Sequence, residues 1–432
     1  MHVEPWLTRA ASRWPDRIAV ETPSRSLSYR ELDGLAAAGA RELGVAAGAR
    51  VAIALPPGAD FALALHACLR AGAVAVPLDL RDPGRPTPDC DVLIETPLSC
   101  AGRPLPAKPH DLAATAVIVH TSGTTGQPRE VPLTYGNFLW SAIGSAVALG
   151  IAPGERWLCT LPLVHVGGLS IVLRSAIYGT TAVVHERFVA DQAVEALMEG
   201  DITLVSVVAT TLRRLLDAGL AQPPALRCAL AGGGPVPPAL LARARGAGVV
   251  VSQTYGLTEA CSQVATQAPG EQGVDAGPPL FCTRVMLASD GEILVSGPTL
   301  SPAVSGGVLA TGDLGEFDAA GSLRVIGRSS DTIVSGGENV APSEVEAVLE
   351  EHPAVVEAGV YGVIDEAWGE AVRALVVTRE PVGEAELREH CRARLAPFKV
   401  PKSVVFAQSL PRTASGKLQR GRLPVDGARP AP

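Results

Sequence analysis

Thr121-Ser122-Gly123-Thr124-Thr125-Gly126-Gln127-Pro128-Arg129 follows directly on the apolar run Thr115-Ala116-Val117-Ile118-Val119-His120. The pair reads as a buried strand that empties into a loop of hydroxyls and glycines. Gly123 and Gly126 let the backbone turn back on itself, so that its N–H groups can surround an anion. Thr121, Ser122, Thr124 and Thr125 add rotatable donors, and Arg129 adds a fixed positive charge. Such a loop suits a polyphosphate. It is not a P-loop, because the Gly-x-x-x-x-Gly-Lys-Ser/Thr spacing is absent. An ordinary surface loop between two elements has the same composition, so the rest of the chain has to decide.

Around this loop, helix-like and strand-like segments alternate from about residue 28 to 285. Helical patterns cover Arg30–Leu43, Asp60–Ala71, Thr134–Ala148, Leu169–Ile177, Ala190–Glu199, Thr210–Ala218 and Pro238–Arg245. Buried-type strands are expected at 51–55, 74–76, 91–94, 157–160, 181–185, 202–208, 226–231 and 249–253. That alternation predicts an α/β architecture of doubly wound sheets, with ligands beyond the carboxyl ends of the strands. After Gly277 the texture changes to short strands (292–296 and 323–326) separated by Gly, Pro and Asp, a small β-rich unit. Beyond 327–331 comes an α+β stretch, with helices at 342–350 and 384–395 and strands at 355–363 and 371–378. We therefore expect a large N-terminal domain over 1–327, with 277–327 as its β-rich subdomain. A hinge at 328–331 and a small mobile lid over 332–432 complete the chain.

Composition narrows the function. A chain of 432 residues, 47% of them hydrophobic, is long enough for two or three cores. Its net charge of −8 argues against nucleic acid as the main partner. The eight cysteines show no C-x-x-C spacing, so neither a zinc site nor a disulfide framework follows. With no signal peptide and no long apolar span, the expectation is a soluble cytoplasmic protein. Only four lysines occur, at 108, 399, 402 and 417, against many arginines. A lysine retained in such a chain invites a chemical reason, because a guanidinium does not replace a compact ammonium in a shaped site.

Four further motifs carry chemistry. Gln253-Thr254-Tyr255-Gly256-Leu257-Thr258-Glu259 offers a flat aromatic face, a tight turn, and a hydroxyl and carboxylate where a magnesium ion could sit. Upstream, Gly232, Gly233 and Gly234 allow close backbone approach to a planar ligand. Thr311-Gly312-Asp313 places an acid after an expected strand end, suited to ribose hydroxyls. Gly327-Arg328-Ser329-Ser330-Asp331 precedes Ser335-Gly336-Gly337, and Pro411-Arg412-Thr413-Ala414-Ser415-Gly416-Lys417 closes the series. Each has an ordinary structural explanation: core packing for Tyr255, a helix start for Glu259, a β-turn for Asp313 and a basic tail for Lys417.

Their fixed order is what identifies them. Over about residues 5–420 the chain resembles the adenylate-forming superfamily of acyl-CoA synthetases, adenylation domains and luciferases. The resemblance implies a two-step reaction with ATP, Mg2+ and coenzyme A. A carboxylate first attacks the α-phosphorus to give an acyl-adenylate. The C-terminal domain then rotates and a thiol displaces AMP. It further implies that 121–129 hold the β- and γ-phosphates, that Gly232–Gly234 and Tyr255 frame adenine, and that Thr258 meets the α-phosphate. Glu259 would hold magnesium, Asp313 and Arg328 the ribose, and Lys417 the carboxylate and α-phosphate. Ser330 would mark the hinge, and Gly336 and Gly337 would line a pantetheine tunnel. Two departures stand out. Glu130 replaces a glycine of the usual Pro-Lys-Gly and brings negative charge near the phosphates. The stretches 80–110 and 296–310 are short, which implies a trimmed N-terminal lobe.

The stretch Leu161-Pro162-Leu163-Val164-His165-Val166-Gly167-Gly168-Leu169, continuing to Gly179, is similar to the o-succinylbenzoate–CoA ligase branch of menaquinone biosynthesis, and so is Thr258–Val264. That substrate has two carboxylates, and the one not activated stays ionised and needs a cation or several donors. Arg174 is the candidate, with Ser262 and Gln263 as lesser donors and His165 as gate of the carboxylate entrance. An ion pair with a local acid on the helix surface would explain Arg174 equally well. Ligases for other small aryl or aliphatic acids, and a stand-alone adenylation domain that loads a carrier protein, are the alternatives. No membrane span is expected, and a homodimer is compatible with the sequence.

Overall fold

The structure is a computed structural model, and it describes residues 1–81, 89–122, 128–365, 368–412 and 418–423. Among these residues the N-terminal part contains two large sheets. One has eight strands in the order Ser262–Thr266, Val251–Leu257, Cys228–Ala231, Leu204–Val207, Arg156–Cys159, Thr181–Val184, Ile18–Glu21 and Ser26–Ser28. Its central pairings are parallel and its two outermost are antiparallel. The other has five strands, in the order Val92–Ile94, Arg50–Ile53, Val74–Pro77, Thr115–Ser122 and Pro128–Thr134.

One apolar core joins the two sheets. Val51, Ile53, Val117 and Val119 from the smaller sheet share it with Trp157, Cys159, Ala182 and Val184 from the larger. The helices Tyr29–Leu43, Ala59–Ala71, Tyr135–Leu149 and Val166–Tyr178 contribute many of its other side chains, with Trp6, Leu7 and Ala10 of helix Trp6–Arg13. Two of these helices begin where side chains satisfy their first N–H groups. Ser28 and Glu31 cap each other's backbone at Tyr29–Leu43, and Thr134 and Asn137 do the same at Tyr135–Leu149. A second core, with Leu158, Val205 and Ala229, lies under the helices Ala190–Glu199, Ala209–Asp217 and Pro238–Gly246.

A four-stranded antiparallel sheet follows, from Arg284–Leu287 through Glu292–Ser296 and Val308–Phe317 to Leu323–Arg328. The C-terminal part is a five-stranded mixed sheet in which Val355–Asp365 and Gly369–Thr378 form the long central pair. Helices Pro342–Glu350 and Glu384–Arg392 pack on it through Val345, Leu349, Leu387 and Cys391.

One local expectation changes, and one strand was not expected. Strand Thr115–Ser122 runs up to the hydroxyl-rich stretch as expected, and residues Pro128–Thr134 return antiparallel to it, with Thr121 opposite Arg129. Pro128 and Pro132 hid that second strand in the sequence, because proline is poor in strand interiors. Asp313 does not follow a strand end. It sits inside Val308–Phe317, opposite Arg328. The Thr-Gly-Asp motif suggested a turn, and Gly312 does take a positive φ of 71°, but as an irregularity within the ladder.

Candidate active site

Strand Val251–Leu257 carries Tyr255 and Gly256 at its carboxyl end and passes into the single turn Thr258–Ala260. Tyr255 is the centre of a polar cluster. Its hydroxyl donates to Asp313 Oδ2 at 2.7 Å, and Arg328 Nε meets Asp313 Oδ1 at 2.9 Å. The Asp313 backbone N–H donates to Thr311 Oγ1. Burial raises the Tyr255 hydroxyl's pKa, with the Asp313 charge adding to it, so the phenol stays a donor. Three residues expected at adenine and ribose, far apart in sequence, are thus in contact. Asp313 is buried and both its oxygens are engaged, one of them by a guanidinium half exposed to solvent.

Gly256 is required by close approach. A Cβ there would lie 1.9 Å from the Ser262 carbonyl oxygen across the antiparallel pair. The tightness comes from the turn behind it, where Cys261 and Ser262 both take positive φ, 52° and 90°. Gly256→Ala is expected to destabilise the protein by about 3 kcal/mol, the upper part of the usual overpacking range. A fall in thermal midpoint together with loss of adenine-nucleotide binding checks it. Unchanged binding would mean that the turn adapts.

The Thr258–Ala260 turn is joined to the hydroxyl-rich hairpin. Strand Pro128–Thr134 packs against it. Buried Ser301 donates its N–H to the Glu259 carbonyl at 2.8 Å and its hydroxyl to the Pro132 carbonyl at 2.7 Å. Nothing in the sequence around Ser301 pointed to that role. No described residue pairs with the Glu259 carboxylate, and no group of three or more His, Cys, Asp or Glu placed to hold a metal ion occurs among the described residues. A single free carboxylate at a strand tip fits magnesium, which keeps phosphate and water oxygens as its other ligands.

The extra acid beside the hairpin is neutralised. Glu130 Oε1 accepts from Arg50 Nη2, at the start of strand Arg50–Ile53 in the same sheet, and lies 3.6 Å from His120 Nε2. The unpaired negative charge expected near the phosphates is therefore already matched. Glu130→Gln is expected to change the KM for ATP by no more than about twofold, as for other half-exposed pairs. A much larger fall in KM would show that its charge does reach the nucleotide. Gly123, Thr124, Thr125, Gly126 and Lys417 lie outside the described residues. Thr121 is in the strand, its hydroxyl donating to the Arg129 carbonyl at 3.4 Å, and the Ser122 backbone ends that strand.

His165 caps helix Val166–Tyr178, its carbonyl accepting from Leu169 N–H. Its Nε2 is 3.5 Å from Arg81 Nη2, and Arg81 is itself held by Asp79 at 2.6 Å. Sequence reasoning missed this pair, which lies in a stretch that reads only as Pro-, Asp- and Arg-rich. Arg174, two turns along the same helix, is 3% exposed. It does not reach the helix surface, and no acid pairs with it among the described residues. Its Nη2 donates to Ser141 Oγ at 3.0 Å, its Nε has no partner, and it lies 5.8 Å from the Trp157 ring centroid. Ser141 in turn donates to the Cys261 carbonyl at 2.6 Å, on the turn that follows Glu259. Burial lowers the Arg174 pKa. Of the lesser donors, Gln263 spends its amide N–H on Thr266 inside the sheet and leaves Oε1 unpartnered, while Ser262 is half-buried at the strained turn.

Gly232–Gly234 follow strand Cys228–Ala231, the Gly232 N–H donating to the Val207 carbonyl. Gly336 and Gly337 are the two central residues of a hairpin and both take positive φ, 63° and 84°. The turn alone requires glycine there. Ser330 lies in the short turn Ser329–Asp331 and reaches Asp331 at 3.4 Å.

Two sheets with parallel pairings at their centres, the polar cluster of Tyr255, Asp313 and Arg328, and a small α+β unit beyond a short connector fit the class of AMP-binding, adenylate-forming enzymes. The family model for AMP-binding enzymes matches residues 7–87 and 81–305, the model for their C-terminal domain matches 344–417, and the chain belongs to this family. It is 37% identical to a 2-succinylbenzoate–CoA ligase of Bacillus subtilis, over 97% of both chains. Among solved structures, the o-succinylbenzoate CoA synthetase of Bacillus subtilis in complex with its acyl-adenylate intermediate superposes with a TM-score of 0.90 at 35% identity, covering 100% of both chains. A double mutant of that enzyme bound with a product analogue superposes at 0.71, with 36% identity and 98% of both chains covered. No helix among the described residues is long and apolar enough to cross a membrane.

Proposed function

We propose that this chain is an ATP-dependent acid–CoA ligase acting on o-succinylbenzoate, a step of menaquinone biosynthesis. In the first step a carboxylate oxygen attacks the α-phosphorus of ATP and pyrophosphate leaves. In the second the CoA sulfur attacks the acyl carbonyl and AMP leaves. Tyr255, Asp313 and Arg328 orient the adenosine, with the ribose hydroxyls taking over donors to Asp313. Gly232–Gly234 lie against the adenine. Thr258 faces the α-phosphate, and Glu259 would hold the magnesium ion, which when bound neutralises phosphate charge. His165 stands at the entrance used by the carboxylate, and Ser330 is the pivot at which the lid turns, with Gly336 and Gly337 beside the path of the pantetheine.

The observation that carries the choice of acid is the buried, acid-free guanidinium of Arg174. An ionised group removed from water needs an opposite charge. A dicarboxylate brings one, and a simple aromatic acid does not. The similarity of the chain to 2-succinylbenzoate–CoA ligases along nearly its whole length supports the same reading.

Pyrophosphate exchange across a panel of carboxylic acids tests it. Succinylbenzoate is expected to give the strongest signal, and mass spectrometry after CoA addition is expected to find the thioester. Exchange with another acid and none with succinylbenzoate would remove the substrate assignment. Acylation of a carrier protein in place of CoA would remove the ligase assignment.

A further inference from the structure

We propose that Arg213 of the large lobe and Glu350 of the lid form an interdomain latch that positions the lid for the adenylate-forming half-reaction. The inference rests on the two-step ligase reading above. Arg213 lies on helix Ala209–Asp217, and Glu350 is the last residue of helix Pro342–Glu350. Arg213 Nη2 meets Glu350 Oε2 at 3.0 Å, with side chains only 16% and 11% exposed. Glu350 Oε1 also accepts from the Ala358 N–H at 3.1 Å, which fixes the carboxylate on the lid side. Arg213 Nη1 is buried with no partner among the described residues. Both charges have left water, so each is costly without the other, and separation of the two bodies removes the attraction together with its charge-assisted hydrogen bond.

The helix that carries Glu350 is tied down along its length. At its start, Ser343 Oγ donates to the Ile326 carbonyl on the strand leading into the connector. At its middle, Glu346 accepts from Arg420 Nη2 at 2.6 Å, and Arg420 Nη1 reaches Asp331 of the connector at 3.2 Å. The helix that carries Glu350 is thus tied to the segment about which the lid would turn. Interfaces between domains of one chain are small and yield readily, so one buried ion pair weighs heavily in them.

The two solved structures of the Bacillus enzyme bear on this. They superpose on the present chain at 0.90 and 0.71 with nearly the same sequence identity and coverage, so of the two it is the acyl-adenylate complex that this chain resembles more.

The test separates the half-reactions. Arg213→Gln and Glu350→Gln are each expected to lower pyrophosphate exchange by about tenfold, the usual size of a coupling between two sites. Thioester formation from supplied acyl-adenylate should stay within about twofold of the unaltered enzyme, since the pair plays no part in it. The double variant should be no worse than either single one, because both remove the same contact. Arg213→Lys, which keeps the charge, should recover exchange. Equal loss in both half-reactions would overturn the latch. So would a double variant that multiplies the single effects, or an Arg213→Lys that recovers both halves together. Exchange is measured with whichever acid the unaltered enzyme activates. Failure with every acid would instead defeat the ligase reading itself.

Discussion

Lys417→Ala is expected to lower acyl-adenylate formation by about two to three orders of magnitude, the usual cost of losing a donor aimed at developing transition-state charge. Attack on the α-phosphorus builds negative charge on the phosphoryl oxygens of a crowded centre. A cation held in a dry site gains most of its interaction there, since the ground state presents less charge in that place. The sequence supports the role through scarcity. The chain carries only four lysines against many arginines. The described residues on either side of this lysine are firmly anchored. Arg412 bridges to Leu418, Gln419 N–H donates to the Pro411 carbonyl, and Arg412 pairs with Glu357 at 3.0 Å. Arg420 adds its two ion pairs to Asp331 and Glu346. Whatever the lid does, both ends of that segment move with it. Thioester formation from supplied acyl-adenylate should therefore survive the substitution, because no phosphorane forms in that step. The check is pyrophosphate exchange beside single-turnover thioester formation. Parallel loss of both would mean that Lys417 serves the lid as a whole rather than one half-reaction. Lys417→Arg is the informative control. It keeps the charge but is bulkier and planar, and it is expected to restore little.

The sheets were legible because their strands are buried on both faces and read as short apolar runs, as at 204–207 and 228–231. Helices declared themselves by period and by caps such as Ser28 with Glu31. What the residues hid was long-range pairing. Val308–Phe317 contains Thr311-Gly312-Asp313, whose composition says turn, yet its ladder to Leu323–Arg328 puts Asp313 opposite Arg328. The motifs located Tyr255, Asp313 and Arg328 one by one, and only the fold puts a hydroxyl and a guanidinium on the same carboxylate. Ser301, Arg50 and Arg213 carry no local signal at all. Each acts on a partner at least 40 positions away, and nothing near them in the chain differs from an ordinary surface or core position. Glu130 shows the converse. Its local reading, an acid beside a phosphate loop, is altered by Arg50, a residue that pattern cannot connect to it.

The other large effect is expected at Arg174. Arg174→Met should raise the KM for succinylbenzoate by about thirtyfold or more, from the 2–5 kcal/mol that removal of one partner of a buried charge pair costs. For benzoate-like monoacids the change should be small. The reasoning starts from the unliganded protein. A guanidinium 3% exposed, hydrogen-bonded to one neutral hydroxyl and facing an indole, with the Tyr178 phenol and the Cys261 thiol nearby, keeps its charge at a cost. Methionine fills much of the same volume without that cost, so the unliganded variant should unfold at the same temperature or higher. A purely structural arginine would behave in the opposite way, since its loss would lower the thermal midpoint and leave discrimination between acids unchanged. The Ser141 link makes a third outcome informative. Ser141 Oγ accepts from Arg174 and donates to the Cys261 carbonyl, at the strained turn that follows Glu259. If Arg174 acts only by steadying that turn, kcat falls equally for every acid and KM stays put. Dicarboxylate-selective KM loss with an undiminished thermal midpoint is what a substrate-binding charge requires, and no other role of this residue produces the pair of results together.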